Sequence, residues 1–248
     1  MKRKERHHLK SNALAHAIVA VRAAIEARQK YVMIVLVAIL VIAAGVGGLT
    51  AWRQRTEAQA QRLLGDAMVV LNARVIPATT TNPEPGEVPP AATFGAVGSY
   101  STQAAKLNAA LPKLKAAAEA YPDTASGITA RYHYASSLSA LGRHEEAGQA
   151  FDDVAARGGS DSLYGRMARM GKADTQLQAG QIDVAIATWK ELASSTDEAL
   201  PKDAVLMELA KAYAAKGDQE EARKTFTQIV DEHQSSPYSV EARQALGG

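Results

Sequence analysis

An uncharged run of twenty residues, VMIVLVAILVIAAGVGGLTA from Val32 to Ala51, restricts the fold of this chain more than any other feature. At a rise of about 1.5 Å per residue, a helix of this length covers the ~30 Å hydrocarbon core of a bilayer. Tyr31 and Trp52 bracket the run, where amphipathic rings prefer the headgroup layer. The run therefore predicts a transmembrane helix over residues 31–52. A buried helix of a soluble protein and a cleaved signal peptide are the alternatives, and the thirty-residue leader argues against the second.

Basic residues on the two sides of this run predict its orientation. Residues 1–30 contain eight Lys/Arg and two Glu, a net charge of +6, whereas Arg53, Arg55 and Arg62 are the basic residues just after the run. By the positive-inside tendency, the N-terminus is expected in the cytoplasm and the C-terminal part on the other side of the membrane. Leu14, Ile18, Val21 and Ile25 fall on one stripe of a helix over residues 11–29. This basic leader either lies on the anionic inner leaflet or is a solvated helix.

Three segments beyond the apolar run repeat the same pattern of small and large residues. Glycines recur 38 and 37 residues apart, at Gly142, Gly180 and Gly217. An alanine stands seven residues before each glycine and another five after it, followed by an aromatic residue at nine and an aliphatic one at twelve. These columns contain Ala135, Ala173 and Ala210; Ala147, Ala185 and Ala222; Phe151, Trp189 and Phe226; and Val154, Leu192 and Ile229.

Each column of this pattern suits a pair of packed antiparallel helices. Glycine ends the first helix in a left-handed conformation without a Cβ penalty. Paired alanines let the two helices approach closely, and the aromatic and aliphatic residues fill the groove against the next pair. Because one such pair cannot bury its apolar face alone, the pairs are expected to stack. The predicted fold class is all-α: a single N-terminal transmembrane helix followed by an α-solenoid over residues 101–248.

The first helix pair is predicted to be split by an insert. KLNAALPKLKAAAEAYP resembles a second helix, and its partner is expected within residues 53–74, continuing from the transmembrane helix. Residues 75–100 between them contain five prolines and read as an extended insert, either a passive linker or a disordered binding segment. At the other end, QSSPYSVEARQAL predicts a short helix that caps the stack.

Composition excludes several classes of function. The chain has no cysteine, which excludes disulfides, thiolate metal sites and cysteine nucleophiles. Beyond residue 30 there are 20 basic and 24 acidic residues, a net charge of −4 that argues against nucleic acid as a partner. Nucleotide loops, paired-histidine helix motifs and nucleophile elbows do not occur in the sequence. We therefore predict no catalytic residue, no metal site and no cofactor, and rank an enzyme last.

The repeated columns resemble the tetratricopeptide repeat: two small residues, a glycine at the turn and an aromatic residue in the second helix. Together with the span, the architecture of residues 30–248 is similar to inner-membrane proteins related to the ancillary subunit of the bacterial Sec translocon. The Pro-rich insert departs from that subunit. The last repeat, ending SSPYSVEARQAL, also looks like repeats of Tol–Pal coordinators of the cell envelope. The resemblance implies a bacterial inner-membrane protein that acts on the periplasmic side.

In this repeat type the first helices line a concave face that binds extended segments of other proteins. Counting back from the aligned glycines predicts a groove formed by Tyr132, Ser136, Ser139, Met167, Met170, Asp174, Met207 and Lys211. Methionines repack around varied apolar side chains, so the groove is expected to accept envelope, translocon or translocated proteins. Ordinary packing between helices is the alternative role for these methionines. A structural subunit that contacts a membrane complex through residues 31–52 and the leader is the alternative function, and homo-oligomers are compatible with both.

Overall fold

The computed structural model describes residues 18–20, 22, 29–76, 98–159 and 161–247. Helices dominate these residues, as the predicted all-α class requires, and a two-residue parallel strand pair is added to them. In chain order the elements are α1 (Gln29–Leu71), β1 (Arg74–Val75), β2 (Ser99–Tyr100), α2 (Gln103–Ala120), α3 (Ala125–Ala140), α4 (His144–Gly158), α5 (Leu163–Gln178), α6 (Ile182–Ser194), α7 (Lys202–Lys216), α8 (Gln219–Glu232) and α9 (Tyr238–Gly247). The chain divides into two compact units, Met1–Arg55 and Thr56–Gly248, and α1 contributes to both.

The first unit contains the apolar part of α1. Among the described residues, the helical stretch Met33–Leu71 is long and apolar enough to cross a membrane, and none of its most apolar 18-residue window is buried. This property rests on length and composition, the same features that the sequence presents. The predicted leader helix over residues 11–29 falls mostly outside the described residues.

Helix pairs of the second unit stack in the order that the sequence repeats predict. Helices α3 and α4, α5 and α6, and α7 and α8 pack as consecutive pairs, and each pair packs against the next. The first helices also contact each other, α3 with α5 and α5 with α7, and α9 contacts α7 in the same way. The first helices therefore form one layer of the stack, which we call the inner face. The predicted solenoid is confirmed.

Buried side chains follow the columns of the repeat. The six paired alanines are at most 1% exposed, and Phe151, Trp189 and Phe226 are 2%, 1% and 8% exposed. Burying an aromatic side chain contributes the largest apolar area in each pair. The register that the sequence predicts is therefore the register of the fold.

Each first helix ends in the same hydrogen-bonded turn. The glycines at the three turns have φ values of 76°, 76° and 86°. At the first turn, the N–H of Gly142 donates to Ser139 O at 2.9 Å, and the N–H of Arg143 donates to Leu138 O at 2.9 Å. The same two bonds recur around Gly180 and Gly217. This is the Schellman arrangement, which satisfies the last carbonyls of a helix and requires φ > 0 at one residue.

The end of α1 packs against α2. Ala67 packs with Ala110 and Leu114 of α2 in one buried cluster. Leu63 and Leu64 pack on a second cluster that contains residues of α2 and α3. The second unit thus begins within α1, before the insert, and α2 continues the stack.

Two short strands lie at the ends of the predicted insert. Arg74 pairs with Ser99 and Val75 with Tyr100 in a parallel ladder. The N–H of Ile76 donates to Tyr100 O at 2.8 Å. The strands bring residues 74–76 and 98–100 side by side. The rest of the predicted insert, residues 77–97, lies outside the described residues.

Helix α9 packs against α8 and α7 at the end of the stack. Its Ala242 is fully buried in the cluster that contains the core of the last two pairs. Helix α9 thus covers one end of the last pair.

Candidate protein-binding site

All eight residues of the predicted groove lie on the first helices, three each on α3 and α5 and two on α7. Six of them are partly exposed on the inner face: Tyr132, Ser136, Met167, Met170, Asp174 and Lys211. The other two, Ser139 and Met207, are 8% and 0% exposed. The inner face therefore exposes six of the eight residues that the sequence predicts.

Met207 is a core residue, so the prediction that it lines the groove is wrong. Its side chain belongs to the cluster that includes Leu206, Ala210 and Ala242. Ala242 is on α9, and α9 packs against α7. Met207 has the repeat position of Tyr132 and Met170, but the packing of α9 at this end of the stack leaves it no exposed surface.

Ser139 joins two first helices within the stack instead of facing a partner. Its hydroxyl lies 2.9 Å from the hydroxyl of Thr175 and donates to Gln178 Oε1 at 3.4 Å. Thr175 is 2% exposed, so this contact between α3 and α5 is shielded from water. Buried polar groups need such partners, and the role of Ser139 is to hold the inner layer together.

Asp174 is the half-buried carboxylate of the inner face. It accepts a hydrogen bond of 2.6 Å from Gln178 Nε2, one turn along α5. Burial raises the pKa of Asp174, although the hydrogen bond from Gln178 and the charges of His144 and Lys211 act in the opposite direction. Desolvation disfavours the charged form of the carboxyl, and the neighbouring groups offset only part of this cost.

Lys211 is held between two carboxylates. Its ammonium lies 3.2 Å from Glu208 on its own helix and 3.2 Å from Glu241 on α9. Burial lowers the pKa of Lys211, but the hydrogen bonds and charges of Glu208 and Glu241 outweigh it, and the pKa is raised. Lys211 therefore helps to dock α9 and presents a cation that is already paired.

An aromatic cluster supports the inner face between the pair α3/α4 and the pair α5/α6. The ring of Tyr132 lies 5.8 Å from that of Phe151 and 6.3 Å from that of Tyr164. Thr129 Oγ1 donates to the Tyr164 hydroxyl at 2.6 Å. Tyr164 is absent from the predicted groove, yet it stands three residues before Met167 on the same stripe of α5. Helical spacing is the signal that could have found it.

Two cavities lie between helices of neighbouring pairs. One of about 740 Å³ lies between α4 and the C-terminal half of α5, and Lys172 of α5 bridges to Asp152 of α4 within it at 2.7 Å. Another of about 700 Å³ lies between α6 and α8, with Leu206 and Leu209 of α7 among its lining residues. The sequence did not predict these cavities, because they result from the spacing between helices of different pairs.

The described residues contain no group of three or more His, Asp or Glu that could hold a metal ion. The inner face offers partly exposed thioethers, an aromatic ring and a serine hydroxyl around one poorly compensated carboxylate. Such a surface can bind a segment of another protein by burial and a few polar contacts.

Comparison with known proteins gives the following similarities. The family model described as tetratricopeptide repeat matches residues 204–236, which span most of α7, all of α8 and the turn towards α9. A crystal structure described as putative kinesin light chain nearly identical TPR-like repeats from Podosopora anserina has 19% sequence identity and a TM-score of 0.47, and covers 57% of this chain and 76% of that one. A point variant of the same protein has a TM-score of 0.48 at the same identity and coverage. No curated protein matches the sequence.

Proposed function

We propose that this protein is a membrane-anchored tetratricopeptide scaffold that binds other proteins through the inner face of its helical stack. The observation that carries the proposal is the layer of first helices, which presents Tyr132, Ser136, Met167 and Met170 partly exposed along α3 and α5. Solenoids use the surface of such a layer for extended ligands, since it is continuous across repeats. A tetratricopeptide repeat over residues 204–236 supports the same class of function.

The anchor in this proposal is the apolar part of α1. Its length and its unburied apolar side chains support a single membrane crossing. Eight basic residues before the run against three after it support a cytoplasmic N-terminus and a periplasmic stack in a bacterial inner membrane. On that side, the scaffold would serve protein translocation or envelope assembly, as the resemblance to the Sec-related and Tol–Pal-type proteins implies.

A structural subunit of a membrane complex is the second candidate function. The three glycines Gly45, Gly47 and Gly48 of α1 have open space where a Cβ would stand. Small residues in a membrane helix let another helix approach closely. In this candidate the span and leader make the contacts, and the stack is an accessory.

Exchange of the span separates the two candidates. Residues 31–52 would be replaced by an unrelated single-pass helix of equal length. The exchanged variant and the unmodified protein would each be affinity-purified in mild detergent. The scaffold proposal predicts that the same partner proteins are recovered with either span. Loss of all partners after the exchange would favour the structural subunit.

Topology is tested separately with reporters fused after Gly248. The proposed orientation predicts an active periplasmic phosphatase and an inactive cytoplasmic reporter at this position. The reverse pattern would place the stack in the cytoplasm and contradict the proposed localisation.

A further inference from the structure

The last sixteen residues of α1, residues 56–71, are fastened to the stack by a carboxylate. Glu57 accepts hydrogen bonds from the backbone N–H of Ala125 at 3.0 Å and of Ser126 at 3.1 Å, and from the Ser126 hydroxyl at 2.5 Å. These two N–H groups belong to the first turn of α3, where no partner exists within the helix. The next N–H, of Gly127, is satisfied by Thr124 Oγ1 at 3.0 Å. Glu57 thus completes the cap of a helix 68 residues away along the chain.

The position of this carboxylate also suits the charge at the helix end. The N-terminus of a helix has a partial positive charge, and a carboxylate placed there is stabilising. Two residues further along α1, Gln59 Oε1 accepts a hydrogen bond from the Tyr121 hydroxyl at 3.0 Å. Polar contacts therefore hold the beginning of the 56–71 segment at two neighbouring points.

Apolar packing holds the same segment only weakly. Its fully buried side chains are two alanines, Ala60 and Ala67, and its larger apolar side chains that pack on the stack, Leu63, Leu64, Val70 and Leu71, are only partly buried. By contrast, the later pairs bury residues such as Trp189, Leu192 and Met207 completely. Since burial stabilises in proportion to apolar area, the segment depends more on its polar contacts than the other helices do.

We infer that Glu57 is a latch, and that residues 56–71 form a strap that this latch holds closed over α2 and α3. Breaking the Glu57 contacts frees the strap and uncovers the small apolar residues beneath it, Ala117 and Ala118 of α2 and Ala130 of α3. The strap begins the second unit of the chain, and the latch determines whether it covers α2 and α3. The device is independent of which protein binds the inner face.

Amide hydrogen exchange of the full-length protein in mild detergent tests the latch. Glu57→Gln keeps the size of the side chain but removes its charge and one acceptor oxygen. Peptides covering residues 56–71 and the first turn of α3 should exchange about tenfold faster or more, the factor expected from the loss of one charged hydrogen bond. Peptides from α7 and α8 should exchange as in the unmodified protein.

Two further variants make the result specific. Asp66→Asn removes an exposed carboxylate from the same helix and should leave exchange unchanged. Ser126→Ala removes one of the three donors and should accelerate exchange in the same peptides by a smaller factor. Unchanged exchange of the strap in Glu57→Gln would overturn the inference. Equal acceleration throughout α7 and α8 would also overturn it, because the effect would then be global.

Discussion

At the scale of single residues, the turn glycines determine where each first helix ends. Gly217 has a φ of 86°, a region in which an L side chain is strained. Gly65 lies inside α1, and nothing lies within 4 Å of the place that a methyl group on its Cα would take. The conformation at Gly217 requires glycine, whereas the helical position of Gly65 accepts a side chain. Substitutions at these two positions can therefore be compared directly.

Substitution of these glycines by alanine should have opposite effects. Gly217→Ala is expected to lower the free energy of unfolding by about 1–2 kcal/mol, the cost of a left-handed non-glycine residue. Gly65→Ala is expected to raise it by about 0.5–1 kcal/mol, because glycine weakens a helix interior. Denaturant melts of the second unit, Thr56–Gly248, measure the free energy of unfolding of both variants. Equal effects at the two positions would mean that the turn does not require glycine.

Asp174 gives a pH-dependent prediction. Burial raises its pKa, so the folded protein keeps the proton to a higher pH than the unfolded chain does. Ionisation therefore costs stability, and this cost appears as the pH rises above the ordinary carboxyl pKa and remains at neutral pH. Asp174→Asn should be more stable than the unmodified protein at pH 7, with a smaller difference at acid pH. A larger gain at acid pH than at pH 7 would contradict this sign.

The structural role of a residue could be predicted where the repeat determines it. It could not be predicted where packing between distant parts of the chain determines it. The columns around Gly142, Gly180 and Gly217 could be predicted because three copies agree. Met207 and Ser139 could not be assigned correctly, because the packing of α9 on α7 and the contact of Ser139 with Thr175 join residues far apart in sequence. The Glu57 cap escaped prediction for the same reason: its partners are 68 and 69 residues away.

At the scale of elements, the aromatic residue of each second helix fills the space between pairs. Trp189 on α6 is 1% exposed and belongs to the largest buried cluster, which also contains residues of α5, α7, α8 and α9. One side chain thus connects two helix pairs. Because both pairs pack against this ring, its removal should be felt across the cluster.

Trp189→Ala is therefore expected to destabilise the stack by about 3–5 kcal/mol, the usual cost of removing a core aromatic side chain. Val184→Ala on the same helix, where the side chain is 49% exposed, serves as the control and should change stability little. Denaturant melts of the second unit, Thr56–Gly248, measure the free energy of unfolding of both variants. A loss below about 1 kcal/mol for Trp189→Ala would contradict the observed packing of α6.

Elements were predictable from helical periodicity, and the exceptions have a physical cause. Helices α3 to α9 follow from apolar spacing and from the turn glycines. The strands Arg74–Val75 and Ser99–Tyr100 could not be predicted, since two residues are too few to display an alternating pattern. Their pairing depends on α1 and α2 bringing the two ends of the insert together.

At the scale of the whole molecule, sequence and structure agree on the fold class and say less about the partner. The repeated columns report how helices pack, and one fold can carry surfaces that bind unrelated proteins. The partner depends on the few partly exposed residues of the inner face. Those are the positions at which the repeat imposes no residue type.

The central claim, that the inner face binds protein, is tested most directly by placing charges on it. Ser136→Arg combined with Met167→Lys adds two cations to the inner face of α3 and α5. The matched control, Gln149→Arg combined with Val184→Lys, adds two cations to positions on α4 and α6 outside the inner face. Circular dichroism should be unchanged for both proteins, because none of the four positions is buried.

Full-length versions of both proteins would be affinity-purified in mild detergent, and the recovered proteins would be quantified by mass spectrometry. The account predicts that the inner-face variant loses the partners of the unmodified protein, because two added charges must be desolvated at the contact. The control variant should retain them. Partners that survive on a folded inner-face variant would contradict the claim and direct attention to the span or to the cavities between neighbouring pairs.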